Sequence, residues 1–399
     1  MKVFFLTMVW PMNPNQTNMY TDLMSEFVSN GHEVTVLSLM EARNQRNTFY
    51  AEENGMCVLR VKCGNIQKTG KYKKVISSLV ANFRIINAVR KYFTEKQFDL
   101  MIFALPPSTI APSVCLLKRR FRARLYLLLK EFWPQDPTDL KAMREGGVVW
   151  KFFDHLSKML YNSSDYIGTM SEAGIGFLKK VTPKIDAVIE SCPNCLKNDV
   201  LSEKNEKERE RLFKLHDIPT DKIVCIFGGN LGVSQGIPEM VASLQNVKDF
   251  NDFCFLIVGD GTEAGVVRNS LAEQSNVLIK KWIPTDDYEA LLRYADVGLI
   301  FLYPQYTVPN VPSRMVGYLK YGLPVMACVD KTTDAGKIIE DFGCGFSIIN
   351  GDVEGFREKI VTFRDDGLRS QMSRRSRQLF EKLYTSECCY KTIVSHFDK

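Results

Sequence analysis

Short, unbroken runs of Val, Ile, Leu and Phe recur along this chain between longer segments of helical period, and this alternation restricts the fold more than any other feature. A sheet with one wet face alternates apolar and polar residues, so continuous runs point to parallel strands covered on both faces by helices. In the first half such runs fall at 3–7, 34–38, 58–61, 100–104, 125–129, 167–170 and 188–190. Residues 19–30 read as a helix stopped by Gly31. A densely charged stretch, 202–211, interrupts the rhythm, which then restarts at 223–227, 253–258, 277–279, 297–302, 325–328 and 346–349. A chain of 399 residues exceeds one ordinary core, so the pattern predicts two α/β, doubly wound, Rossmann-like domains in tandem.

The remaining composition excludes more than it assigns. A net charge of +6, spread along the chain, does not mark a dedicated nucleic-acid binder. MKVFFLT begins directly as a strand, without a signal-peptide core, and no run approaches the ~18 apolar residues of a membrane span. The 11 cysteines therefore read as reduced thiols in the cytoplasm. Cys192-Pro193-Asn194-Cys195 and Cys388-Cys389 lack neighbouring Cys or His at ligand spacing, so no metal is expected.

Three segments carry chemistry. A buried strand runs into Gly228-Gly229-Asn230-Leu231-Gly232, then Gln235-Gly236, and a helix opens near Pro238. Glycines admit close backbone approach and a helix start is electropositive, which together suit a diphosphate; the plainer reading is a turn that only packs. The loop lacks the Lys-Ser/Thr of an ATP-binding phosphate loop. A second strand ends in Gly259-Asp260-Gly261, where ligands of parallel sheets bind. Further on, Thr285 or Asp286 caps a helix with Tyr288, Leu291, Leu292 and Ala295 on one face. A proline-rich loop then delivers Ser313 and Arg314 to the start of a helix stopped by Gly322. That pair is either an ordinary helix start with a solvated Arg or a clamp for phosphate oxygens.

In this order and spacing the three blocks resemble the C-terminal domain of family 4 (group 1) GT-B glycosyltransferases of bacterial capsule and O-antigen polysaccharide synthesis. The likeness rests on Gly229–Gly232 with Gln235-Gly236, and on Pro312-Ser313-Arg314 before Gly322-Leu323-Pro324-Val325. It extends more loosely to residues 30–36, Phe132-Trp133-Pro134, Met170-Ser171-Glu172 and Pro193-Asn194. It implies a GT-B fold of two domains facing a cleft: an acceptor domain at 1–195, a nucleotide-sugar domain at 196–378, and a C-terminal helix at 379–399 crossing back to the first domain. It further implies retaining transfer from a UDP-sugar to a lipid-linked saccharide, without metal or other cofactor. Gly228, Gly229, Asn230, Ser313 and Arg314 would surround the diphosphate, Gly259, Asp260, Gly261, Trp282 and Ile283 would lie near the base, and Gln235 and Pro312 would complete the donor site. Gly317 stands where the family usually keeps a Glu, Pro309 where it keeps the paired one, and Gln235 where it usually keeps a cation.

Glu131, Asp136 and Asp139, around Trp133-Pro134, are the candidate catalytic carboxylates, able to orient acceptor hydroxyls or take a proton. The alternative is a solvated loop with a capping Asp139. Glu172 is a weaker candidate, and His32 and His155 read as structural. Residues 71–93, with Val75, Leu79, Phe83, Ile86 and Val89 on one face, and the basic 118–124 offer peripheral contact with the inner face of the cell membrane; the helix equally suits a core-facing role. Competing readings are a sugar-nucleotide epimerase, disfavoured by only four histidines, and a catalytically silent GT-B partner of a synthase complex.

Overall fold

The computed structural model describes residues 1–44, 46–64, 71–94 and 97–397, with backbone only for 42, 71–76, 78 and 79. It divides into two compact units, Met1–Lys197 with Ser386–Lys399, and Asn198–Thr385.

The first unit runs β1 (Lys2–Thr7), α1 (Met19–Ser29), β2 (Glu33–Glu41), β3 (Phe49–Glu53), β4 (Met56–Cys63), α2 (Lys71–Tyr92), β5 (Leu100–Leu105), α3 (Ala111–Phe121), β6 (Arg124–Leu129), α4 (Gln135–Asp139), α5 (Val148–Ser163), β7 (Tyr166–Thr169), α6 (Glu172–Val181) and β8 (Val188–Ser191). Among the described residues its sheet has the order β3-β4-β2-β1-β5-β6-β7-β8. The strands β1, β5 and β6 bury nearly every side chain, as continuous apolar runs require. Asn18 starts α1 with a capping box, accepting from the Tyr20 and Thr21 N–H groups.

The sequence pattern places no strand at 49–53, yet β3 pairs there antiparallel to β4. Two features hold it. Asn54 and Gly55, at φ 51 and 76, make a two-residue hairpin turn. The buried Arg60 guanidinium donates to both Glu53 carboxylate oxygens, at 2.9 and 2.7 Å, and to the Pro11 carbonyl at 2.8 Å.

The second unit runs α7 (Glu206–Leu215), β9 (Ile223–Gly228), α8 (Ile237–Gln245), β10 (Phe253–Val258), α9 (Ala264–Leu271), β11 (Val277–Lys280), α10 (Thr285–Tyr294), β12 (Val297–Phe301), α11 (Ser313–Lys320), β13 (Val325–Val329), α12 (Ala335–Asp341), β14 (Gly345–Ile349), α13 (Val353–Ile360) and α14 (Asp366–Leu379). All its strand pairs are parallel, in the order β11-β10-β9-β12-β13-β14. The strand order reverses between β9 and β12, which opens a crevice at their carboxyl ends. Within the charged stretch 202–211, Asn205 caps α7.

The last helix, α15 (Ser386–Val394), belongs to the first unit and packs on α1. Cys389, Ile393 and Val394 enter the core beside Cys192 and Cys195. The Ser386 hydroxyl donates to Glu26 at 2.7 Å. His32 Nε2 meets the Tyr390 hydroxyl at 2.8 Å while its Nδ1 faces the terminal amine at 3.1 Å, a structural role.

The stripe expected along α2 does not form one face. Val89 is buried and Phe83 is 68% exposed, while the side chains of Val75 and Leu79 lie outside the described residues. In the basic 118–124 stretch, Lys118 and Arg124 both pair with Asp165, at 2.7 and 3.2 Å. Among the described residues no helix is long and apolar enough to cross a membrane. Because Ile393 is fully buried between α1 and the sheet, Ile393→Ala is expected to destabilise the first unit by ~2–4 kcal/mol, measured by urea unfolding.

Candidate functional site

At the carboxyl ends of β9 and β10 the two glycine turns are knitted together. The Gly229 N–H donates to the Val258 carbonyl and the Leu231 N–H to the Asp260 carbonyl, both at 2.9 Å. A Cβ on Gly259 would overlap the Gly229 carbonyl, and one on Gly261 the Leu231 carbonyl, so neither turn tolerates a larger residue. The Asn230 side chain lies over Gly232 and Gly261. Gly229, at φ 131, is exposed, as are Asn230, Asp260 and Gly261. Asp260 pairs with Lys281 at 3.3 Å and Arg268 at 4.0 Å, and the Gly261 N–H and then Lys281 hold its carboxyl below the usual range. Trp282 stands 73% exposed after β11, whereas Ile283 turns into the core.

Arg314, on the first turn of α11, reaches back over this loop. Its guanidinium lies 4.2 Å above the Phe227 ring, beside Gly229, and Nη2 donates to Gln235 Oε1 at 2.6 Å. Nη1 is buried with no hydrogen-bond partner, and no carboxylate pairs with the cation among the described residues. Burial pushes the Arg314 pKa down, opposed by the facing Tyr318 and Tyr288 hydroxyls. Pro312 is buried before the helix and Ser313 is exposed at its first position. Of the donor candidates, then, Gly229, Gln235 and Arg314 touch or bond directly, Gly228 lies beneath them, and Asp260 and Trp282 stand on the β10–β11 side.

In the first unit, Glu131, Asp136 and Asp139 gather after β6. The Asp136 carboxylate accepts from the Phe132 N–H, Glu131 accepts from the Trp133 indole at 2.8 Å, and Asp139 from Gln135 at 2.9 Å. Burial, then the Glu131 charge, pushes Asp136 up to about 7, near the range where a carboxyl exchanges protons at neutral pH. Trp133 packs on Phe153 of α5 at 5.0 Å, and the start of that helix exposes Val148 (87%), Val149 and Phe152. His155 and Glu172 are exposed and lie outside this cluster.

Residues 208–379 match the family described as glycosyl transferases group 1. The second unit is a glycosyl transferases group 1 domain. The chain is thus a glycosyltransferase, and its two α/β units, the first on a mainly parallel sheet and the second on a parallel one, have the GT-B fold. It is 22% identical over 341 residues to WcaI of Escherichia coli K12, named as a colanic acid biosynthesis glycosyl transferase, covering 81% of this chain and 82% of WcaI. It is 21% identical over 292 residues to WbjE of Pseudomonas aeruginosa, named as a glycosyltransferase, covering 72% of this chain and 71% of WbjE. The fold is also that of Anabaena HepE, solved in complex with UDP, with a TM-score of 0.68 at 12% identity, over 100% of this chain and 99% of that one.

Sequence reasoning about the glycosyltransferase did not find Tyr318, whose hydroxyl is buried under the glycine loop, nor the contact of Arg314 with Gln235. The signals were the i, i+4 spacing of Arg314 and Tyr318 and the family's usual cation at 235, which would repel Arg314.

The Asp136 shift sets a pH dependence. Its folded pKa lies above the 3.8 of an ordinary Asp, so ionisation favours the unfolded chain: the cost is absent below the unfolded pKa, grows as pH rises and is complete above about 7. Asp136→Asn keeps an acceptor for Phe132 and removes the charge. At pH 8 it is expected to raise unfolding stability by on the order of 3 kcal/mol, the gain shrinking toward pH 5, as read from urea titrations across pH.

Proposed function

We propose that this glycosyltransferase passes a sugar from a UDP-sugar, with retention, to a lipid-linked saccharide in the synthesis of a surface polysaccharide. The observation that carries the donor half is Arg314, a cation half-sunk in the glycine crevice with a buried Nη1 and no carboxylate partner. A buried charge left uncompensated is costly, and a diphosphate at this loop compensates it. Gly229 and Leu231 already give their N–H groups to carbonyls, so the guanidinium supplies the main positive charge for the departing diphosphate, and no metal enters the scheme. Exposed Trp282 offers a face for the base, and UDP as the nucleotide has the support of the HepE complex.

The acceptor half rests on the first unit. Glu131, Asp136 and Asp139 offer carboxylates to saccharide hydroxyls, with Asp136 able to hold or take a proton near neutral pH. The exposed Val148, Val149 and Phe152, joined to that cluster through Phe153 and Trp133, suit the apolar part of a lipid carrier. Such an acceptor brings the protein to the membrane surface from the cytoplasmic side. The polysaccharide pathway has the support of the name of WcaI.

A second reading, a silent GT-B partner, has one observation in its favour. Gly317 of α11 presents no side chain where the resemblance places a Glu, and a Cβ there would meet only Leu292, at 3.8 Å. Calorimetric titration with UDP, GDP and ADP separates the two. UDP is expected to bind in preference to the others, with Arg314→Ala weakening it at least about tenfold, the scale of a lost charge-assisted hydrogen bond. Binding of none of the three overturns the donor reading and favours the silent partner.

A further inference from the structure

The seam between β9 and β12 is short. Only Val297 and Gly298 pair with Cys225 and Ile226 before the strands part. Parting strands leave main-chain groups unpaired inside the sheet, and buried N–H and C=O groups require partners. The Tyr318 hydroxyl occupies that gap. It lies 3.2 Å from the Ile226 carbonyl on one strand and 3.1 Å from the Leu299 carbonyl on the other, and accepts from the Gly228 N–H at 3.4 Å. Its ring lies where a Cβ on Gly298 would be, so the phenol reaches the seam only because that residue is glycine.

A second phenol completes the arrangement. Tyr288 of α10 brings its hydroxyl against Gly228, into space a Cβ there would fill, close to the Tyr318 hydroxyl. Both hydroxyls act on the charge of Arg314, which stands one turn before Tyr318 on α11 and stacks on Phe227, the residue preceding Gly228. The contrast with a carboxylate is instructive. A carboxylate beneath Arg314 would hold the guanidinium and also cancel its charge, whereas a phenol gives it a dipole to lie against and leaves the charge for a ligand.

We infer that Tyr288 and Tyr318 are positioning residues for the anion site: they fix the Gly228–Gly229 turn and the plane of Arg314 through the strand seam, without touching the ligand. This rests on the diphosphate reading above and assigns how that site is held. It predicts that the two hydroxyls act on the diphosphate end of a nucleotide and not on its base.

The test measures binding of UDP, inorganic pyrophosphate and uridine to the full-length wild type, Tyr288→Phe and Tyr318→Phe, with urea midpoints for each. Each variant is expected to weaken UDP and pyrophosphate about 2–10-fold, the range of one lost hydrogen bond, with uridine affinity unchanged. Equal loss for UDP and uridine would mean a general disturbance of the fold and would overturn the assignment. So would full affinity for UDP and pyrophosphate in both variants, which would leave the donor reading intact. Failure of the wild type to bind either UDP or pyrophosphate would sink the donor reading and this assignment together. If Tyr318→Phe lowers the urea midpoint strongly, Tyr288→Phe decides, because its hydroxyl lies against Gly228 and away from the seam carbonyls.

Discussion

The parting of β9 from β12 is the constraint on which the second unit turns. Right-handed crossovers send β10 and β11 to one side of β9 and β12, β13 and β14 to the other, so a crevice must open where the order reverses. What would suit that crevice to the proposed diphosphate is local. The strand before it ends in consecutive glycines, and Arg314 is brought over them from the far side of the seam. Two glycines in the sheet, Gly228 and Gly298, give up their side-chain space to phenols, the Tyr288 hydroxyl at one and the Tyr318 ring at the other. Each substitution in this set would be felt by the others through direct contact.

The first unit depends on a different device. Its sheet is finished from the end of the chain: Ile393 and Cys389 of α15 fill the core beside α1, and His396 joins Tyr126 on Glu190 of β8, at 3.0 and 2.7 Å. The N-terminal amine, His32 and Tyr390 tie the first strand to the last helix through one hydrogen-bonded chain. The scaffold that carries Glu131, Asp136 and Asp139 is thus closed by residues nearly 200 positions beyond the rest of its unit, at Ser386 after Lys197.

Most of the fold was legible because parallel strands buried on both faces leave continuous apolar runs, as at Phe4, Phe5 and Leu6 or Phe255, Leu256 and Ile257. β3 was not, because its FYAEE sequence carries no such run; Asn54-Gly55, a strong hairpin signal, was there to be read. The glycine turns and Arg314 were visible as local patterns. The carboxylate group after β6 was visible as composition, but the perturbation of Asp136 arises from burial and from its neighbour Glu131, which spacing does not encode. Tyr288 and Tyr318 were hidden for a related reason. On one strand or helix they read as ordinary apolar-face residues, and their meaning lies in glycines 60 and 20 positions away, at Gly228 and Gly298.

The departures from the family pattern at 235 and 317 become coherent when they are taken as charges. A cation at 235 and a carboxylate at 317 contribute zero net charge together, and so do Gln235 and Gly317. Arg314 keeps its +1 in either case, so the attraction that the proposed diphosphate would feel survives the double change. Its surroundings do not stay the same, because Gln235 can accept from Nη2 where a Lys or Arg would repel it. With no cation at 235, Arg314 lies across the loop against Phe227, held by an amide. A single guanidinium held by a neutral amide is thus what the loop offers to the proposed diphosphate.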